Sequence, residues 1–473
     1  MVRDPEDLET EPEAKAQSPT KSAARSGLGL IVLWSSEDPH HIGGWLACSN
    51  TASGTPLLFG RGGAQATDEF VRARAVRQRP GENEILAPFM SRSLSRSQLK
   101  LRVLGDALEV ENIGRCSLSS HGAEVRKTEV RPGDVLEVGA QLVVMCMRRP
   151  QLLPKSAAAQ HEFGEADAYG YVGESVEAWR LRSEVSSIAT LPGHVLLLGA
   201  SGTGKELVAA ALHSKSGRIG PLVARNAATL PDSLVDAELF GNLKGYPNPG
   251  MVERKGLIGA ADGGTLFLDE FGELSLDAQA HLLRVLDSGE YQRLGDTAAR
   301  RSDFRLLAAT NRSESAMRAD VLARFDFRLH LPDLSKRVED LPFIVRHLLR
   351  TMTDTDAELR ERVFGSQAWP RFSAQFVRSL AERRFGTNVR ELRSLLWQAL
   401  PKSPDAAFEW PVEVRVPESK RPESIEANEL QRVLDENNGS IEKSWRALGL
   451  SSRYAMNRLL KKHGVTITKR RGR

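Results

Sequence analysis

The sequence predicts a multidomain chain: an all-β sandwich, then an α/β phosphate-loop domain with a helical lid, then an all-α helix-turn-helix. Three observations carry that reading. Residues 27–149 are short apolar runs cut by Gly, Ser and Asn, the texture of a sandwich of short strands. Between 171 and 331, strand-like runs alternate with helical segments, and one run opens into a glycine-rich turn. From 424 to 464 the pattern is three amphipathic helices with a basic end beyond them.

A chain of 473 residues has room for roughly two to four domains. With 41% hydrophobic and 27% charged residues it is an ordinary globular composition, able to bury a sizeable core. The net charge of +4 excludes a global basic field, but its distribution is uneven. Residues 4–13 are acidic and residues 461–473 strongly basic, which places positive charge at one end for phosphates. Cys48, Cys116 and Cys146 lack metal-ligand spacing and are odd in number, so free thiols in a reducing compartment are expected. No apolar run reaches the length of a membrane span and the start lacks a signal pattern; the expectation is cytoplasmic, with no membrane partner.

Residues 1–26, rich in Pro, Glu, Ser, Lys and Ala, are expected to be disordered. In the sandwich, runs beginning at Leu28, Pro56, Gln98, Ala107 and Gln141 read as strands, with a Pro-Gly turn from Arg131 to Asp134. Phe59-Gly-Arg61 is followed by Leu94-Ser-Arg-Ser-Gln-Leu99, then Asn112-Ile-Gly114 and Val138-Gly139. That order resembles a forkhead-associated domain, a reader of phosphothreonine peptides. The resemblance implies a phosphoprotein partner held by Arg61 and Ser95, with Arg96 beside them. The chemistry suits them, since arginine supplies forked charge-assisted bonds and serine a hydroxyl. Gln98 stands where that family has a structural histidine, and serines at 117–120 blur its usual Asn-Gly. A sandwich used only for docking is the alternative.

Residues 150–170 read as a linker into the α/β domain, residues 171–331. Its centre is a buried-strand run from Val195 to Leu198. The turn Gly199, Ala200, Ser201, Gly202, Thr203, Gly204 follows, and a helix opens at Lys205 and Glu206. Glycines let backbone N–H groups converge on phosphate oxygens at a helix N-terminus, and Lys205 adds a charge for the β/γ-phosphates. A second apolar run ends at Asp269-Glu270. One carboxylate can hold Mg²⁺ while the next orients an attacking water, so ATP and Mg²⁺ are the expected cofactors. Further runs at Leu222 and Leu306 complete a doubly wound parallel sheet.

Residues 332–400 are helical, as a small lid, and residues 401–423 form a Pro- and charge-rich linker. In residues 424–473, Asn438-Gly439 breaks the first helix, Gly449 starts a turn, and Ser451 or Ser452 caps the last helix. Ser452, Arg453, Asn457, Arg458 and Lys461 on that helix are the candidates for DNA contact.

The order of phosphate loop, Asp-Glu strand end, lid and helix-turn-helix resembles the sigma-54-dependent transcription activators. GASGTGKE resembles that family's first nucleotide motif, which itself ends in Glu, and GGTLFLDEFGEL its second. The resemblance implies an AAA+ ATPase that works as a homo-oligomeric ring, a hexamer, on sigma-54 RNA polymerase. Asn226 matches the residue that restrains the catalytic glutamate, and Asn311, in AATNR, the first sensor. Arg318 and Arg324, in MRADVLARF, match the arginine fingers that complete a neighbour's site, and Arg390, in FGTNVREL, the second sensor. Val172 and Gly173 fall at nucleotide contacts. The C-terminal part resembles the Fis-type helix-turn-helix. One departure stands out: where the family carries the sigma-contacting GAFTGA loop, this chain reads Gly245, Tyr246, Pro247, Asn248, Pro249, Gly250. Two prolines fix φ and remove donors in a loop that must move.

The reading is therefore a DNA-binding, ATP-using transcription regulator with an altered output loop. Two alternatives share its parts. One is a repressor or decoy subunit that only binds nucleotide; the other is a remodelling ATPase acting on a different protein.

Overall fold

The computed structural model describes residues 26–48, 55–62, 71–158, 160–231, 233–246, 248–400 and 427–436, with Ile441, Ser444, Leu448, Met456, Leu459, Leu460 and His463. The N-terminal part is built from β1 (Ser26–Ser35), β2 (Trp45–Ala47), β3 (Leu57–Phe59), β4 (Val71–Arg72), β5 (Ala75–Arg79), β6 (Glu82–Ile85) and β7 (Leu99–Leu104). It continues through β8 (Ala107–Asn112), β9 (Leu118–Ser120), β10 (Ala123–Glu124), β11 (Lys127–Val130), β12 (Val135–Val138) and β13 (Leu142–Pro150). One sheet runs β10-β9-β12-β13-β1-β2-β5-β6 and the facing sheet β11-β8-β7-β3-β4. The strands read from apolar runs are all present. β5 and β6, with sequences AVRQR and ENEI, carry too few apolar residues to have been legible.

Period-two alternation explains the inner core. Leu28, Leu30 and Val32 of β1, Leu136 and Val138 of β12, and Leu142, Val144 and Cys146 of β13 point between the sheets. The opposite face of the same strands is equally apolar. Ile31, Leu33 and Trp34, with Val135, Val143 and Met145, belong to a second core shared with the helical lid. A register shift between Val32 and Trp34 marks a bulge, which turns both Leu33 and Trp34 to the lid side. The long unbroken run in β1 is thus a strand buried on both faces, and its sheet is the middle of three layers, between the facing sheet and the lid.

The second part contains α1 (Val176–Ile188), β14 (His194–Leu198), α2 (Lys205–Lys215), β15 (Leu222–Asn226), α3 (Val235–Phe240) and α4 (Leu257–Ala260). After these come β16 (Thr265–Asp269), α5 (Leu276–Ser288), β17 (Glu290–Tyr291), β18 (Arg300–Arg301), β19 (Arg305–Thr310), α6 (Ala319–Leu322) and β20 (Phe325–His330). The parallel sheet has the order β15-β16-β19-β14-β20. Its three central strands, β16, β19 and β14, are nearly continuous hydrophobic runs because helices cover both faces. β20, FDFRLH, alternates in burial as an edge strand does and does not read as part of a buried sheet.

The lid is α7 (Leu341–Thr353), α8 (Ala357–Phe364), α9 (Ala374–Glu382) and α10 (Asn388–Ala399). Leu341, Phe343, Ile344, Val345 and Leu349 of α7 and Phe376, Val377 and Leu380 of α9 pack into the shared core. The segment expected to be a linker is built into the same joint. Phe163 meets Phe343 edge-on at 5.6 Å, and Arg77 of β5 lies 4.6 Å from the Phe163 ring centre. Arg378 of α9 pairs with Glu137 of β12. Beyond residue 426, α11 (Ala427–Glu436) packs Leu430, Val433 and Leu434 with Leu448, Met456, Leu459 and Leu460. The predicted DNA-contact residues Ser452, Arg453, Asn457, Arg458 and Lys461, most of residues 1–26 and the 401–423 segment lie outside the described residues. Among the described residues no helix is long and apolar enough to cross a membrane, and Cys48, Cys116 and Cys146 are free thiols.

Phe343, 1% exposed, is central to the shared core. Phe343→Ala is expected to cost about 3–5 kcal/mol through lost burial and the cavity left behind. Hydrogen exchange should then accelerate in β1 and β13 together with α7 and α9. Acceleration confined to the lid would contradict a shared core.

Candidate nucleotide site

β14 delivers the chain into the glycine-rich turn, and α2 starts at Lys205 with Gly204 as a left-handed N-cap, φ 101°. A cavity of about 480 Å³ opens above this turn, between the parallel sheet and the lid. Ser201, Gly202, Thr203, Gly204, Lys205 and Glu206 line it from below, with Asp269 and Glu270 at the end of β16. Val172 lines the entry side, while Gly173 is pressed instead against the Asp340 carboxylate. Gly199 and Ala200 contribute carbonyls that accept from Lys205 Nζ at 3.0 and 3.2 Å. Lys205 is 7% exposed, so a phosphate arriving at the N–H groups of the turn meets its ammonium in a sheltered place.

Asp269 and Glu270 differ in their settings. Asp269 Oδ1 accepts from the N–H of Glu270 at 2.9 Å, leaving Oδ2 for a cation. Glu270 adopts a left-handed backbone, φ 51°, an uncommon conformation for a non-glycine residue and one that re-aims its side chain at the end of the strand. Burial, then the neighbouring Asp269 charge, push its carboxyl above the usual range. The glutamate therefore ionises at higher pH than a free one, which makes it a stronger proton acceptor. A cavity with converging donors, a lysine and a carboxylate pair fits a nucleoside triphosphate with Mg²⁺, and the chemistry available is phosphoryl transfer to water.

The lid closes the cavity through a latch on the turn itself. Asn388, 3% exposed and at φ 51°, donates from Nδ2 to Ser201 O at 3.1 Å and accepts at Oδ1 from Leu334 N at 2.7 Å. The Val389 N–H donates to Gly202 O at 3.2 Å, and Arg390 donates to Ser201 Oγ at 2.7 Å. A Cβ on Gly202 would collide with Thr387 O, so only glycine allows this approach. The sequence placed Arg390 here and missed its companions. Arg393, His347 and Arg337 also line the cavity. Arg393 was legible in principle, one helical turn after Arg390.

The other expected site residues lie elsewhere. Asn226 ends β15 beside Asp269 in register, but its Oδ1 accepts from Ala228 N at 2.9 Å. Asn311 is exposed just past β19. Arg318, partly exposed, pairs with Asp320, and Arg324, exposed, with Asp287; neither lines this chain's cavity. In the 245–250 loop, Gly245 N donates to Met251 O at 2.8 Å and Met251 N to Asn248 O at 3.2 Å, and the Tyr246 ring covers Gly295. Pro247 is outside the described residues; Pro249 follows Asn248 in the turn.

In the sandwich, the Arg61 N–H donates to Ser95 O at 2.9 Å. A Cβ on Gly60 would strike the carbonyls of Ser95 and Arg96, so this glycine is what brings Arg61 beside Ser95. Arg96 is exposed, and Arg72 braces the pair by donating to Arg61 O at 2.7 Å. Gln98 is buried and holds both loops: it accepts from Ser95 N at 3.1 Å and donates to Asn112 Oδ1 and Cys116 O at 2.8 and 3.0 Å.

Residues 171–334 match the family model described as the sigma-54 interaction domain. The anaerobic nitric oxide reductase transcription regulator NorR of Serratia proteamaculans is 33% identical over 350 residues, covering 70% of this chain and 67% of that protein. The transcriptional regulator VasH of Vibrio cholerae is 37% identical over 247 residues, 50% of this chain and 45% of that one. Apart from the Serratia protein, the chain spans about half the length of the curated relatives it matches. Among solved structures, NtrX from Brucella abortus in complex with ADP is 27% identical, with a TM-score of 0.46, over 63% of this chain and 70% of that one.

Asn388 gives the site's sharpest test. Asn388→Ala removes two buried hydrogen bonds and leaves a non-glycine residue at positive φ; Asn388→Gly removes the bonds but relieves the backbone. Both are expected to weaken binding of a fluorescent ATP analogue, by about tenfold or more for Ala, with Gly intermediate. Equal affinity in all three proteins would show that the latch does not shape the site.

Proposed function

The chain belongs to the family of transcription regulators built on a sigma-54 interaction domain, and on that premise we propose a DNA-binding regulator that binds and hydrolyses ATP as a ring. One observation carries the reading: Lys205, Asp269 and Glu270 from the core and Arg390 from the lid converge on a single cavity. In this reading the N–H groups of the 199–204 turn and Lys205 hold the phosphates, Asp269 holds Mg²⁺, and Glu270 orients the water and draws its proton. The metal supplies charge neutralisation on the transferred phosphoryl group. Arg390 reaches the phosphates from the lid, so lid position and phosphate occupancy are linked.

Arg318 and Arg324 act on a neighbour. Arg318 is partly exposed and Arg324 exposed, and among the described residues each pairs with a carboxylate of its own surface, which a second subunit can displace. Hydrolysis then requires assembly, as a hexamer in the family's manner, with Asn226 and Asn311 acting as restraint and sensor at the strand ends. The C-terminal helices place the ring on DNA through Ser452, Arg453, Asn457, Arg458 and Lys461. The sandwich receives a phosphothreonine protein at Arg61, Ser95 and Arg96, with Gln98 doing the bracing that the forkhead-associated family gives to histidine.

Output is the point of divergence. Tyr246 folded over Gly295 and the proline-flanked turn favour a loop that does not rise toward sigma-54 RNA polymerase in the family's way. That same feature favours the second reading, a remodeller whose target is a different protein.

Assembly-dependent hydrolysis is tested by measuring ATP turnover against protein concentration for wild type and Arg324→Ala. Turnover per subunit should rise cooperatively in the wild type and fall by about a thousandfold or more in the variant. Nucleotide binding with no turnover at any concentration would overturn the motor and leave a nucleotide-binding scaffold.

A further inference from the structure

Behind the nucleotide site, a second cavity of about 120 Å³ lies between the 160–171 segment, α1 and α2. Its floor is apolar, with Leu181, Val185, Val208 and Ala211. Three polar groups line it without a hydrogen-bond partner among the described residues: Tyr171 Oη, Ser186 Oγ and His161 Nδ1. Tyr171 is 5% exposed and the His161 side chain 8%. Buried polar atoms are normally satisfied, so three such atoms on one cavity call for an occupant that can hydrogen-bond.

We propose that this cavity is an effector site for a small uncharged ring compound bearing a hydroxyl or amide. Two of the charges around it, Arg182 and Asp167, are already engaged with each other. Arg182 donates to Asp167 Oδ2 at 2.9 Å and to the Gly173 and Tyr171 carbonyls, and Lys215 stands 5.8 Å from the Tyr169 ring centre. The buried unpaired groups are two hydroxyls and an imidazole nitrogen above a hydrocarbon floor, with the exposed Gln160 also on the lining, which suits a neutral amphipathic ligand. The volume limits it to one ring, since an apolar cavity of roughly 150 Å³ accepts benzene.

The position gives such a ligand an effect. Tyr171 and Leu207 line both cavities, and Arg337, which lines the nucleotide cavity, lies 4.8 Å from the Tyr171 ring centre. An occupant that fixes Tyr171 and α2 from behind alters the wall on which the nucleotide rests, and the nucleotide alters the occupant's affinity by the same factor. This second half rests on the nucleotide reading; the first half does not.

Phenol and benzamide are the probes, titrated against the full chain with melting temperature and fluorescent ADP affinity as readouts. A saturable rise in melting temperature is expected for at least one, with ADP affinity at saturation changed by about twofold or more. Ser186→Ala should weaken that probe by about fivefold, and Ala211→Leu, which fills the floor, should abolish its effect. No saturable shift with any probe, as for a cavity holding ordered water only, overturns the site, as does a shift unchanged in Ala211→Leu. Saturable binding with ADP affinity unchanged overturns the effector role. A chain that binds the probe but no ADP keeps the site and loses the nucleotide reading instead.

Discussion

Ile31, Leu33 and Trp34 face the lid from a strand whose other face, Leu28, Leu30 and Val32, fills the sandwich. Apolar area removed from water on both sides commits β1 to sandwich and lid alike, and it removes the usual independence of an N-terminal module. With the outer face of the sandwich sheet covered by α7 and α9, sandwich and lid form one body. The parallel sheet, with the phosphate turn, is the other. The nucleotide cavity lies in the joint between them.

A buried polar seam fixes how that joint is hung. The Asp340 carboxylate, at the start of α7, accepts from the N–H groups of Glu174 and Ser175 at 2.6 and 2.8 Å and from Ser175 Oγ at 2.6 Å. Arg149, the penultimate residue of β13, donates to Glu174 O at 3.1 Å. Arg337 donates to Val172 O at 3.1 Å. Burial drives the carboxyls of Glu339 and Asp340 upward against the pull of Arg149 and Arg337. Sandwich end, nucleotide-site entry and lid start are thus joined in one network, in which removing any partner strands a buried charge. Glu174 also ties the 160–171 segment, accepting from Gly164 N at 2.7 Å.

Much of this was legible where one physical signal dominated. The phosphate turn, the Asp-Glu strand end and the lid helices follow from glycine placement, apolar runs and helical periodicity, and the structure has them where the residues put them. The strands β5, β6 and β20 escaped because their faces are half polar. The shared core escaped for a different reason. A strand buried on both faces reads as an apolar run, but nothing in the run says which second surface covers it. The 150–170 segment looked like a linker from its Pro, Lys and Ala content, while its order comes from Phe163 and Glu174 finding partners distant in sequence. Arg393, His347 and Arg337 reach the cavity through tertiary placement alone.

The most direct test of this arrangement is a set of spin-label distances under saturating non-hydrolysable ATP analogue and without it. Labels at Lys127 in the sandwich, Arg360 in the lid and Asp277 in the core occupy exposed positions on the three parts. The sandwich–lid distance is expected to stay narrow and unchanged, while the lid–core distance shifts with nucleotide. A sandwich–lid distance that broadens or moves, with lid and core fixed, would contradict the single body on which the coupling depends.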